Sequence, residues 1–93
     1  MADDYEIAKA GGKHAGLIDR NDGMPDHLVE KSIRSLENRI QIHKAKIANP
    51  RDFVDTSTTD VDIGYLVNSY WPKEIATYKS EVKVLRGILK DRK

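Results

Sequence analysis

PDHLVEKSIRSLENRIQIHKAKIANP, residues 25–50, carries Val29, Ile33, Leu36, Ile40, His43 and Ile47 at steps of four, three, four, three and four. Side chains spaced this way share one face of an α-helix. Pro25 favours a first-turn position, Asp26 suits the positive helix end, and Asn49-Pro50 stops the run, so a helix is predicted over 25–48. A second stripe, Ile75, Tyr78, Val82, Leu85 and Leu89, recurs at three, four, three and four and predicts a helix over 72–91. Two stripes of matching length on a short chain imply an antiparallel pair with coiled-coil-like packing. Gly87, late in the second helix, is expected to weaken that end by up to about 1 kcal/mol relative to alanine.

Between the stripes, Arg51 to Thr59 is polar and turn-like. Thr58, Thr59 or Asp60 then offers a cap for a short helix over 60–70, with Val61, Ile63, Tyr65, Leu66, Val67 and Tyr70. Pro72 allows at most a sharp bend before the last helix. The short helix is expected to cross the open side of the pair, where Trp71 and Phe53 add aromatic burial. Residues 1–24 read as a loop or arm, because Gly11, Gly12 and Gly16 disfavour regular structure, with Tyr5, Ile7, Leu17 and Ile18 as anchors and a short strand near Tyr5 to Ala8 left open. The fold predicted is all-α: an antiparallel long-helix pair, a short crossing helix and a Gly-rich N-terminal loop or arm, in one small domain over 1–93.

Composition narrows the function classes. With 93 residues, 39% hydrophobic and 33% charged, the chain has the balance of a surface-rich helical protein. No apolar run approaches the roughly 18 residues of a bilayer span, and Met1-Ala2-Asp3-Asp4 has neither the basic start nor the apolar centre of a signal peptide. There is no cysteine, which excludes a disulfide framework, a thiolate nucleophile and a cysteine-ligated zinc, and fits action in a reducing cytosol. The net charge of +1 conceals segregation: residues 1–30 carry −4, 31–50 carry +4, 51–72 carry −3 and 73–93 carry +4. If the two basic helices pair, their outer faces can attract phosphates, with binding that weakens as salt rises. The plain alternative is a solvated helical surface.

Gly11-Gly12-Lys13-His14-Ala15-Gly16 sets a titratable imidazole beside a primary amine. That pairing can supply a general acid or base together with a cation for a developing phosphorane, the roles a metal-free ribonuclease needs. Read without chemistry, the same stretch is a linker that carries a histidine. His43 lies on the apolar stripe, so it reads either as a core-edge histidine bonded to a neighbour or as a second proton carrier facing the loop. His27 reads as a surface residue. Arg34, Arg39 and Lys44 are candidates for a phosphate track. Tyr65, Tyr70, Trp71 and Tyr78 can stack on bases, but their helical spacing favours packing. No His-x-x-x-His, Asp-rich ligand spacing or serine elbow occurs, so no metal, cofactor or serine triad is expected.

Three stretches carry a family resemblance: Gly12-Lys13-His14-Ala15-Gly16; Ile33 through Pro50; and Trp71-Pro72-Lys73-Glu74-Ile75 with Val84-Leu85-Arg86-Gly87-Ile88-Leu89. Together they resemble a small C-terminal module of bacterial polymorphic toxins of the contact-dependent growth inhibition and Rhs type. The module is also similar to C-terminal modules of some phage head-associated proteins. The resemblance covers most of residues 11–90; Val54 to Tyr70 matches less clearly. It implies a cytotoxic effector domain of bacterial competition, delivered as the C-terminal part of a larger secreted effector and acting in the target-cell cytoplasm. Such a domain is neutralised by a cognate immunity protein. Its implied activity is metal-independent endoribonuclease cleavage of cellular RNA, transfer or ribosomal, with Lys13 and His14 at the site. In that scheme His43 is the second proton carrier, and Arg34, Arg39 and Lys44 hold the RNA backbone. The rival expectation is a non-enzymatic helical interaction or assembly module of a phage or surface protein. The stripes can pair within one chain or between two, which leaves a homodimer open.

Overall fold

The computed structural model describes residues 3–93, so the expectations that touch Met1 and Ala2 lie outside the described residues. All regular structure among them is helical: α1 Asp4–Lys9, α2 Ala15–Asn21, α3 Asp26–Ala48, a 3₁₀ turn Pro50–Asp52, α4 Asp60–Tyr65, a π-helical segment Leu66–Tyr70, and α5 Trp71–Asp91. None of the described helices is long and apolar enough to cross a membrane.

The α3 and α5 stripes pack against each other within the chain, antiparallel, as the ties Asp26–Arg92, Glu37–Arg86 and His43–Glu74 require. Val29, Ile33, Leu36 and Ile40 of α3 meet Ile75, Val82, Leu85 and Ile88 of α5 in one buried cluster. Val84 is also buried, outside the predicted stripe. The late half of α5 is covered on a second side by α1 and α2, which widens the face it must bury.

The N-terminal segment is therefore not a loop, and Tyr5 to Ala8 is not a strand. Asp3 caps α1 by accepting the Glu6 amide, Ala8 is buried, and Tyr5, Leu17 and Ile18 pack against the core. Glycine punctuation ended one helix and began another instead of dissolving both. Gly11 takes φ +93°, which only glycine adopts readily, and a Cβ at Gly12 would meet Ile7 at 2.8 Å.

The segment over 60–70 differs from expectation in direction. Thr59 does cap α4, its hydroxyl accepting the Asp62 amide at 3.2 Å. The helix then runs on through the π segment into α5 and does not cross the pair. Proline lacks the N–H that would bond the Asn68 carbonyl, and its ring crowds that oxygen. Widening the turn resolves the conflict: the Trp71 amide reaches back five residues to Leu66. The helical rod from Asp60 to Asp91 is about 48 Å long at the usual rise, which sets the longest dimension of 49 Å. Trp71 is buried as expected, whereas Phe53 is half exposed because no crossing helix covers it.

Candidate functional site

The two histidines assigned to catalysis lie in different places. Lys13 and His14 sit in the tight connection between α1 and α2, closed by amide bonds from Gly12 to Ile7 (2.9 Å) and from Ala15 to Gly12 (3.1 Å). The ties of α1 to α5 run from Asp4–Lys83 to Lys9–Asp91. His43 faces Glu74, about 14 Å back along α5 from Lys83 by helical rise. Among the described residues no hydrogen bond or ion pair joins the loop to His43.

His14 holds a left-handed backbone, φ 68° and ψ 16°, at the cap of α2, yet its side chain makes no capping bond. Among the described non-glycine residues it alone has positive φ. Its Nε2 is buried without a hydrogen-bond partner, again alone among the described side chains. Left-handed backbone costs a residue with a Cβ about 1–2 kcal/mol, and an unpaired buried polar atom about 1–3 kcal/mol. Lys13 beside it is exposed.

His43 is fully committed. Its Nδ1 lies 2.9 Å from the Arg39 carbonyl oxygen and its Nε2 2.6 Å from a Glu74 carboxylate oxygen. A carbonyl only accepts, so Nδ1 carries a proton, and the second bond shares a proton between imidazole and carboxylate. Neither nitrogen faces a substrate. The Tyr78 ring stands edge-on at 5.3 Å, and its hydroxyl donates to the same carboxylate at 3.4 Å. The Glu74 carboxyl is held below the usual carboxylate range, chiefly by the Tyr70 hydroxyl and then by His43, against the opposing pull of burial. Glu74 escaped sequence reading because nothing in the spacing links it to a residue 31 positions earlier.

A depressed folded-state pKa means that Glu74 stabilises the fold above its ordinary value of 4.5, and that this contribution is lost as pH falls below it. Melting temperature should therefore decline on acidification below about pH 4.5. Glu74→Gln should flatten part of that decline, leaving the share due to Asp55 and Asp91, whose carboxyls are also lowered. An identical slope in the variant would show that the cluster does not contribute.

Arg34, Arg39 and Lys44 do not form one track. Each successive pair is five residues apart, about 140° around the helix. Arg39 lies on the Tyr78 side, 6.0 Å from that ring. Arg34 and Lys44 fall on the opposite edge, which also carries Glu37 and Gln41. His27 is exposed, as are Tyr65 and Tyr70, whose ring centroids lie 6.4 Å apart. Among the described residues no group of three or more His, Asp or Glu is placed to hold a metal ion. No family model, curated protein or solved structure matches the chain.

Proposed function

We propose that the chain is a cytotoxic effector domain of an interbacterial polymorphic toxin that cleaves RNA without a metal, with His14 and Lys13 as its reactive pair. The observation that carries this reading is the double cost at His14, an adverse backbone and a buried unpaired nitrogen, for which the side chain gains no bond. Costs of that kind persist where function requires them. In the reaction the Nδ1 of His14, the ring nitrogen that is not buried, takes the proton of a ribose 2′-hydroxyl, whose oxygen attacks the adjacent phosphorus. Lys13 stabilises the phosphorane. The bond to the 5′-oxygen breaks, that oxygen takes a proton from water, and the products end in a 2′,3′-cyclic phosphate and a 5′-hydroxyl. His43 is assigned to positioning α3 on α5, because both its nitrogens are engaged. A cognate immunity protein would cover the loop.

The test is induced expression of wild type and His14→Gly, reading growth, total RNA and thermal unfolding. Wild type should arrest growth and yield discrete RNA fragments. His14→Gly should lower cleavage at least about 100-fold. Glycine suits the left-handed site, so the same variant should be more stable by roughly 1 kcal/mol, or several degrees in Tm. A variant that still cleaves, or a wild type that leaves RNA and growth intact, refutes the nuclease reading.

One observation favours a second reading, a non-enzymatic interaction module. The projecting end of the rod exposes Val61 (82%), Tyr65 (62%) and Tyr70 with the acids Asp60 and Asp62, and the connection leading into it exposes Phe53 with Asp52 and Asp55. An apolar, acidic tip of this kind suits protein contact. Harmless expression of a folded chain would move the conclusion there.

A further inference from the structure

On α5, Lys79, Lys83, Arg86 and Lys90 follow one another at steps of four, three and four. This spacing confines them to about 60° of the helix surface, one cation per turn over about 16 Å. All four are exposed. The row lies between two clefts, walled by Glu37, Ile40 and Gln41 of α3 on one side and by Asp3, Tyr5, Glu6 and Asp91 on the other, with Lys83 and Arg86 bordering both. Arg34 and Lys44 lie on the α3 edge that continues from Glu37 and Gln41 at three-residue steps, adding positive charge to the same side.

We infer that this α5 row is a track for the phosphate backbone of a single-stranded nucleic acid, a reading that rests on the nuclease proposal and supplies its substrate-holding surface. The row offers regularly spaced positive charge with no side chain arranged to read a base, which suits a polymer carrying one negative charge per residue. Its walls argue against the other anionic partners. A membrane surface is flat and would bring its headgroups onto the carboxylates of Asp3, Glu6 and Glu37 that flank the row, whereas a single strand is narrow enough to follow the cations themselves. The internal ties are light: Lys83 reaches Asp4 at 3.8 Å and Arg86 reaches Glu37 at 2.7 Å, with both cations still mostly exposed, and Lys79 and Lys90 make no ion pair among the described residues. Exposed pairs of this kind contribute little and exchange readily for phosphates.

The experiment measures binding of a fluorescent 12-nucleotide oligouridylate to the full chain carrying His14→Ala, so that cleavage does not interfere, across a salt series. Four phosphate contacts give a slope of log K against log salt of about −2.8. Lys79→Gln with Lys90→Gln should halve that slope and weaken binding about 25-fold at 0.1 M salt. Arg20→Gln with Lys31→Gln removes equal charge elsewhere and should leave both nearly unchanged. An equivalent deoxyoligonucleotide binding as tightly supports a track that reads phosphates. Four results overturn the proposal: no binding by the parent chain, equal losses in both double variants, a polyaspartate peptide binding as tightly as RNA, or preferential binding to anionic lipid vesicles. Failure here leaves His14-dependent cleavage standing, while binding by a wild-type chain that cuts nothing keeps the track and removes the nuclease.

Discussion

Gly87→Ala is expected to destabilise the protein by roughly 1–3 kcal/mol, opposite in sign to what helix propensity alone gives. Alanine would favour an isolated helix at that position by up to about 1 kcal/mol. In the folded chain, however, a Cβ at Gly87 would overlap the Tyr5 side chain at its Cβ, Cγ and Cδ1 atoms. Tyr5 cannot simply swing aside, because its hydroxyl donates to Asp91, a bond that raises the tyrosine pKa and lowers that of the carboxylate. The added methyl therefore pushes α1 off α5 and loosens the Lys9–Asp91 and Asp4–Lys83 ties along with it. Thermal unfolding checks the sign. Tyr5→Gly destabilises alone, but in its background Gly87→Ala should become neutral or stabilising, since the Cβ, Cγ and Cδ1 atoms it would meet are all gone. A Gly87→Ala protein more stable than wild type would show that α1 does not dock as described.

His43→Ala should cost roughly 2–4 kcal/mol by removing a buried ring and stranding Glu74. The histidine side chain is only 10% exposed, so truncation leaves a void between α3 and α5. The glutamate side chain is 30% exposed, and water offsets part of its lost partner, which keeps the figure below that of a fully buried broken pair. Glu74→Ala alone should cost less, because the tyrosines around it can turn to solvent. The double variant measures the coupling: a deficit smaller than the sum of the two singles establishes the bridge. If RNA cleavage survives in the still-folded fraction of His43→Ala, the residue acts in positioning the helices and not in proton transfer.

The two long helices were legible because each carries its own periodicity and ends, and no distant residue is needed to read them. Thr59 was legible as one of three candidate caps for the same reason. The short N-terminal helices were not. Six or seven residues rarely hold a helix alone, so α1 and α2 exist by packing Tyr5, Ala8, Leu17 and Ile18 against the long helices, and the glycines between them read locally as a loop or arm. The direction of α4 was hidden because Pro72 was weighed against an α-helix only, whereas a widened turn absorbs it.

The candidate site divides along the same line. Lys13 and His14 stood out by composition, but the backbone and burial that single out His14 depend on helices the glycines concealed. His43 was visible as a histidine on an apolar stripe, and Glu74, the partner that occupies it, appears only when α3 and α5 align. The basic row on α5 was present in the spacing all along, yet its position between two acidic walls required α1 to dock. By itself, then, the sequence determined the long helices, the stripe on each and the absence of thiol chemistry, since these depend on residue type and neighbours a few positions away. Only the tertiary structure decided which charges meet, which histidine is engaged, which one buries an unpaired nitrogen and what flanks the basic row of α5, because those follow from side chains brought together across as many as 86 positions of chain, as Tyr5 is with Asp91.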